Sequence, residues 1–422
     1  MNNNKIKKIL ILNNACGPIT KLLMELSILG VEIEIFDATL DSNLEELKNT
    51  VESFAPDYIL QQNLNVFVLT GKFGAQAAEW LASTNYKQVF WFLGRPDSGG
   101  SPYLLYTWLQ LDYFKNALFL CGSKQYEEIL QRYGAKTAYF PFAIDQSEFH
   151  VNSESVLKYD TFYWNSAAHN VILKYDPVEN IEVISSTHYL AQGAAKNLFT
   201  TCINNIPALA EKANEHYQKF YKLISPYLIQ FFTTPDLCAI KYEHRRAVFF
   251  NQISKVLSPE IYYIVLCNAL QLDRIFDDYQ NYDIYNKASF LFDGICEGGM
   301  WKQLGLMNKT TEITNLEAYR SSNITVSYST SLTGLAPSLV PLEVFASGGF
   351  SISEHRPEIY SLLPIQDKVT YQNIEELKQL VKLYSENEAL RNKVIEKAQT
   401  HILSHHTYKV RAKELIQILT NI

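Results

Sequence analysis

Short apolar runs and stretches of helical periodicity alternate through the first 145 residues, and no other feature of the chain restricts its fold as tightly. The run 8–12, KILIL, is apolar at nearly every position, which fits a strand buried on both faces. Ile19, Leu22, Leu23, Leu26 and Leu29 then recur at the spacing of one helix face, closed by Gly30. Segment 31–36 alternates strictly, as a half-exposed strand does. The rhythm continues through a helix over 43–53, a strand over 57–60, a helix over 75–82 and strands over 88–93 and 117–121. A helix between Ser123 and Gly134 and a strand over 136–140 complete it. A helix between two strands returns the chain to the same end of the sheet, so such strands are parallel. Residues 1–150 therefore predict one Rossmann-like α/β domain.

The polar stretch 146–158 has little periodicity and reads as a linker. A strand over 159–164 follows, and from about 189 to 280 long helical segments such as 206–224 and 244–257 replace the alternation. Strands return at 288–292, 323–327 and 349–353, with helices near 315–321 and 340–347. This pattern predicts a second Rossmann-like domain over 151–400 with an α-helical insertion. Three helices close the chain, over 374–384, 388–401 and 409–419. Residues 401–422 are expected to return and brace the first domain.

The chain carries 37 Lys plus Arg against 44 Asp plus Glu, a net charge of −7 without blocks of one sign. A nucleic-acid-coating role is therefore not expected. No apolar stretch approaches the roughly 20 residues needed to cross a bilayer, and a cytoplasmic protein is expected. The six cysteines include no C-x-x-C pair, so neither zinc nor redox chemistry is expected of them.

The segment 338–357, SLVPLEVFASGGFSISEHRP, carries the clearest chemistry. It reads as a helix with one carboxylate, ending in two glycines that open at once into a strand. Ser338 is a candidate N-cap and phosphate contact at a helix start, where backbone N–H groups and the dipole favour anions. Glu343 can accept two hydrogen bonds from a vicinal diol such as a ribose. Gly348 and Gly349 permit a tight turn and close backbone approach. The same residues also suit a surface glutamate followed by an ordinary glycine cap.

Residues 342–350, His355-Arg356-Pro357, Val369-Thr370-Tyr371, 374–377 and 405–412 together resemble the carboxy-terminal half of the CgeB-like spore-maturation glycosyltransferases. The resemblance is good from about 291 to 419, fair over 1–150 and poor over about 165–285. It implies two facing Rossmann-like domains of the GT-B type. It also implies transfer of a sugar from a nucleotide diphosphate sugar, bound mainly by the second domain, to an acceptor hydroxyl held by the first. The nucleotide sugar is then a co-substrate, and no cofactor is expected. The acceptor stays open: protein, glycan or small molecule. In this resemblance Glu343 is the ribose-binding glutamate, Gly348 and Gly349 follow it, and Asp293-Gly294 lies near the loop facing the base. Relatives often carry arginine where this chain has Val340, and some carry a second glutamate where it has Leu335.

The diphosphate then needs another cation. Arg245 and Arg246, at the start of a helix, form one candidate fork, and Arg356 after the strand 349–353 is another. Each also suits a surface or structural role. In the first domain, Asn14 and Gly17 lie in the loop after the first strand, at the carboxyl edge where open α/β sheets bind ligands. The loop lacks G-x-G-x-x-G, so a nicotinamide cofactor is not expected. Asp97, in the loop after strand 88–93, is the candidate base for the acceptor hydroxyl, against a solvated loop charge. No metal site is expected. Asp273, Asp277 and Asp278 read as a solvated face, and His405-His406 as a capping or packing pair. A nucleotide-sugar epimerase and a non-catalytic nucleotide-sugar-binding protein are the alternative functions.

Overall fold

The structure, a computed structural model, describes residues 6–13, 18–64, 66–67, 70–92, 113–132, 134–151, 159–165, 171–176, 180–185, 294–297, 315–327 and 336–421. Its first sheet is wholly parallel, in the order β2-β1-β3-β4-β5-β6. The strands are β1 Lys8–Asn13, β2 Glu32–Asp37, β3 Tyr58–Gln62, β4 Gln88–Phe92, β5 Ala117–Cys121 and β6 Lys136–Tyr139. Helices α1 Pro18–Ile28, α2 Leu44–Phe54, α3 Gly71–Ser83 and α4 Lys124–Arg132 lie between them. β2 is an edge strand, which explains its alternation, whereas β4 and β5 are buried at every position.

Both faces of this sheet are covered. Leu10, Leu12, Ile59, Phe90, Phe92 and Phe119 pack with Leu47 and Val51 of α2 and Ala77 and Leu81 of α3. On the other face Ile9, Ile11, Leu60, Val89, Trp91 and Leu120 meet Leu22 and Leu26 of α1. Ala412, Leu415 and Leu419 of the last helix join that second cluster. The chain's end is thus built into the core of its beginning.

The second sheet has the order β10-β7-β11-β12-β13, again parallel throughout. Its strands are β7 Tyr159–Asn165, β10 Gly294–Glu297, β11 Ser322–Ser327, β12 Ser351–Glu354 and β13 Thr370–Tyr371. β8 Val171–Asp176 and β9 Asn180–Ser185 form a separate antiparallel hairpin, which the sequence reading does not anticipate. In both parallel sheets, among the described residues, the sheet's second strand along the chain is the edge, its first lies next to it, and the rest follow in chain order. This is the flavodoxin-like arrangement, with the switch point between β1 and β3 in one sheet and between β7 and β11 in the other.

Helices α5 Asn315–Ser321, α6 Val340–Ala346, α7 Ile359–Leu362, α8 Ile374–Glu386 and α9 Glu388–His405 accompany this sheet, and α10 Tyr408–Thr420 follows. Ile324, Val326 and Ile352 pack with Phe345, Leu377, Val381, Val394, Ala398 and Ile402. Asparagine side chains start α2, α8 and α9: Asn43, Asn373 and Asn387 accept from Glu46, Glu376 and Leu390 N–H groups. The proposed insertion and the strand expected at 288–292 lie outside the described residues.

Two crossings connect the domains, at 141–145 and 405–408. They pair with each other: Ile144 N–H donates to the His406 carbonyl at 2.8 Å, and Tyr408 N–H donates to the Ile144 carbonyl at 3.2 Å.

Candidate functional site

Glu343 stands in the first turn of α6, which begins at the carboxyl side of β11 and ends at β12. Pro341, at the start of α6, suits a first turn where an N–H has no helical acceptor. Val344 and Phe345 turn into the core, leaving Glu343 half-buried beside α5. The Tyr319 hydroxyl donates to Glu343 Oε2 at 3.3 Å. Burial pushes the Glu343 carboxyl up to about 7, against the opposing pull of the Tyr319 bond and with a further push from Glu148. The two glycines fix this helix end. Gly348 adopts φ +84, and the N–H groups of Gly348 and Gly349 donate to the carbonyls of Phe345 and Val344, a Schellman cap. A Cβ on Gly349 would overlap the carbonyl oxygen of Tyr319, so its close approach is to α5.

Polar groups from other elements gather nearby. Tyr408, at the start of α10, is buried; its hydroxyl is pushed up by burial and by the charges of Glu343 and Asp145. Asp145 pairs with Lys21 of α1 at 2.5 Å. Burial raises this carboxyl, but the bonds from Lys21 and Ser147 outweigh it and hold it below the usual range. Arg320 Nη2 donates to the carbonyls of Glu148 and His150 at 3.3 and 2.5 Å. Glu343 therefore lies where the second domain, the first crossing and the start of the last helix converge. A carboxylate so placed, held on one oxygen by a phenol, can take diol hydroxyls on the other.

The remaining candidates fall differently. The N-cap of α6 is Leu339, in αR geometry without a side-chain cap bond, so Ser338 does not cap this helix: the turn begins one residue later than its residue type suggests. Gly294 is the first described residue of β10, and Asp293 with the strand expected over 288–292 lies outside the described residues. Arg356 is buried, and its Nη2 donates to Glu354 Oε2 at 3.1 Å. Val340 is in the core beside Ala318 and Tyr319. Asn14, Gly17, Asp97, Arg245, Arg246, Asp293 and Leu335 lie outside the described residues, as do Asp273, Asp277 and Asp278.

Two further groups went unread in the sequence. Glu358 Oε1 accepts from the Ser123 hydroxyl at 2.7 Å and from the Gln125 N–H at 3.3 Å, joining the second domain to the start of α4. Arg411, 1 % exposed, donates to the carbonyls of Pro141, Phe142 and His405, to Glu414 and to His406 Nδ1. Burial, then the Arg411 charge, lowers the His406 ring to about 3. His406 is thus a packed acceptor, as one of its two expected roles had it. Among the described residues no cluster of histidine, cysteine or carboxylate groups suits a metal ion, and no helix is long and apolar enough to cross a membrane.

Residues 298–417 match the glycosyl transferase-like family. This stretch holds α5, α6, both glycines and the Glu343–Tyr319 contact, and the match agrees with the reaction class read from the sequence. No curated protein matches the chain in sequence. Among solved structures, the DNA-modifying β-glucosyltransferase studied with and without uridine diphosphoglucose is 11 % identical, with a TM-score of 0.45, over 98 % of this chain and 100 % of its own. The T4 phage enzyme in complex with UDP-glucose is 12 % identical over the same shares, with a TM-score of 0.45. The N-terminal domain of a Candida albicans trehalose-6-phosphate phosphatase is 10 % identical over 100 % of this chain and 98 % of its own, with a TM-score of 0.43.

Proposed function

We propose that the chain is a glycosyltransferase that moves a sugar from a nucleotide diphosphate sugar to an acceptor hydroxyl. The observation that carries this reading is Glu343. It is a half-buried carboxylate held by Tyr319 at the carboxyl side of the second parallel sheet, inside the glycosyl transferase-like stretch. It accepts the ribose hydroxyls, and the rest of the donor extends towards the first domain. The acceptor oxygen bonds to the anomeric carbon as the bond from that carbon to the diphosphate breaks. The acceptor proton passes to Asp97 in this proposal, and the diphosphate leaves with its electron pair. Arg245 and Arg246 with backbone N–H groups take the leaving charge, so a metal ion is not required.

Titration of the full chain with nucleoside diphosphates and their sugars tests the reading. Binding that Glu343→Gln weakens, followed by acceptor-dependent transfer, supports it; absence of binding overturns it. Val340 favours one other reading, a nucleotide-sugar-binding protein without turnover, since it puts an apolar core side chain where the resembled family often has arginine. Donor binding with neither transfer nor donor hydrolysis would support that reading. The CgeB-like assignment belongs to the same proposal and rests on the residues of 291–419.

A further inference from the structure

The strand registers of the first sheet line up one polar rung at its carboxyl end. Asn13 pairs with Asp37, Leu12 with Gln61 and Gln62 with Trp91, so Asp37, Asn13, Gln62 and Trp91 stand level on β2, β1, β3 and β4. Two positions earlier, Ile11, Leu60 and Val89 pack on the α1 side of the sheet, and the rung therefore belongs to that side. We propose that the acceptor is a carbohydrate and that this rung holds its hydroxyl groups. The inference rests on the glycosyltransferase reading and adds the acceptor's chemical class to it.

Two unpaired groups are the first ground. Trp91 is 0 % exposed and its Nε1–H has no acceptor, while Gln62 Oε1, level with it on the neighbouring strand, is buried without a donor. Leaving a buried hydrogen-bonding group unpaired is costly. An occupant that completes the rung must accept a hydrogen bond from the indole and supply one to the carboxamide, and a hydroxyl does both. At the other end of the rung Asp37 is exposed. Asn13 Nδ2 donates to its Oδ1 at 2.8 Å, and Oδ2, which has no partner among the described residues, can receive further hydroxyl protons.

Position is the second ground. The Tyr58 hydroxyl, at the start of β3, donates to the Leu419 carbonyl, so α10 ends at the amino end of the sheet and begins, with Tyr408, at the carboxyl end that carries the rung. Tyr408 belongs to the core on the α1 side, and its hydroxyl feels the charges of Glu343 and Asp145. The rung thus lies at the end of the sheet that approaches the donor site. It spans three interstrand steps, about 14 Å, with a hydrogen-bonding side chain on every strand and no cation among them. An anionic acceptor would meet Asp37 without a compensating charge, a lipid tail would find no apolar surface, and a serine or threonine side chain would bring one hydroxyl to four groups. Successive hydroxyls around sugar rings supply one to each.

Retention of the full chain on an array of defined oligosaccharides, followed by calorimetric titration with a retained one and with a serine- and threonine-containing peptide, tests this. An oligosaccharide should bind in preference to the peptide. Asp37→Ala and Trp91→Phe should each weaken it by about tenfold or more, the scale of one lost hydrogen bond. Gln61→Leu is the control: Gln61 is also buried with an unpaired Oε1, but it lies on the other side of the sheet with Leu12 and Phe90, and its loss should leave oligosaccharide affinity unchanged. No retained oligosaccharide, preference for the peptide, or affinity indifferent to Asp37→Ala would overturn the proposal. So would a lower melting temperature in Trp91→Phe with full oligosaccharide affinity, which would make the occupant beside the indole a structural water only. Rung variants should leave nucleoside diphosphate affinity unchanged, and Glu343→Gln should leave oligosaccharide affinity unchanged. Nucleotide binding without carbohydrate binding therefore sinks the rung alone, and the reverse sinks the donor reading alone. Because Asp37 is exposed, its variant tests the site even if Trp91→Phe does not fold.

Discussion

The Ser123 hydroxyl donates to Glu358 Oε1 across 2.7 Å, joining two residues 235 positions apart. Ser123 stands at the start of α4 in the first domain, and Glu358 immediately precedes α7 in the second. The same carboxylate oxygen accepts from the Gln125 N–H, so a glutamate of one domain serves as the helix cap of the other.

This contact should couple the two domains measurably. Glu358→Ala leaves the Ser123 hydroxyl without its acceptor and the Gln125 N–H with only Ser123 Oγ, and should lower unfolding free energy by about 1–3 kcal/mol. Glu358→Gln keeps the acceptor and should cost less. In denaturant unfolding, Ser123→Ala combined with Glu358→Ala should cost less than the sum of the two single changes. Strict additivity would show that the contact contributes nothing.

Glu343 gives a prediction with two opposite signs. Burial pushes its folded carboxyl up to about 7 from the ordinary 4.5, so between those values the folded chain keeps a proton that the unfolded chain has released. The stability this contributes is fully present below 4.5 and is lost as the pH rises through about 7. Glu343→Gln should remove that loss and raise the melting temperature at pH 8. Nucleotide affinity should fall by about 1–3 kcal/mol in the same variant. In the unmodified chain, nucleotide affinity should increase with pH through about 7, because the ionised carboxylate is the better acceptor.

Gly349→Ala should act on the site through packing. The added methyl overlaps the Tyr319 carbonyl, which is backbone, and presses on the Val344 side chain, so α5 must shift or the strand must. A stability loss of about 1–3 kcal/mol is expected, together with weakened nucleotide binding as Tyr319 leaves Glu343. Gly30→Ala is the control: its added methyl meets open space, and the cost comes only from the φ of +85.

Arg411→Lys should fail to replace arginine. A lysine cannot reach the Pro141, Phe142 and His405 carbonyls, Glu414 and His406 with one fork. A loss of about 3 kcal/mol in unfolding experiments is expected, with earlier hydrogen exchange in α10 than in α9.

If Asp97 is the base, Asp97→Asn should lower turnover by about 100-fold or more while donor affinity stays nearly constant. Equal turnover would return it to a solvated loop charge.

Sequence periodicity exposed most elements whose burial repeats along the chain. The apolar runs that became β1, β4 and β5 and the glycines 30 and 134 after α1 and α4 were legible because each reports a local constraint. β13, with two residues, and α7, with four, were too short to show any period. Glu343 was legible as a carboxylate on a short helix, but Tyr319 was not, since its contact spans 24 positions between separate helices. Gly349 was read for a ligand's approach, yet its space is taken by a neighbouring carbonyl. Arg411 and Glu358 act across domains, and no spacing within one segment encodes such a partner. Ser338 misled because a good capping residue type stands beside the helix start without occupying it.

The pairing of Ile144 with residues 406–408 limits how the two halves can rearrange. Two separate tethers would let the halves slide, part or rotate about many axes. Here both strands of the connection are stitched into one narrow ribbon, clamped on one side by Arg411. Any separation of the halves must therefore twist or bend that ribbon as well as break the Ser123–Glu358 contact, and a swing at one crossing is carried at once by the other. At that ribbon the spacing of the halves is set by two backbone hydrogen bonds.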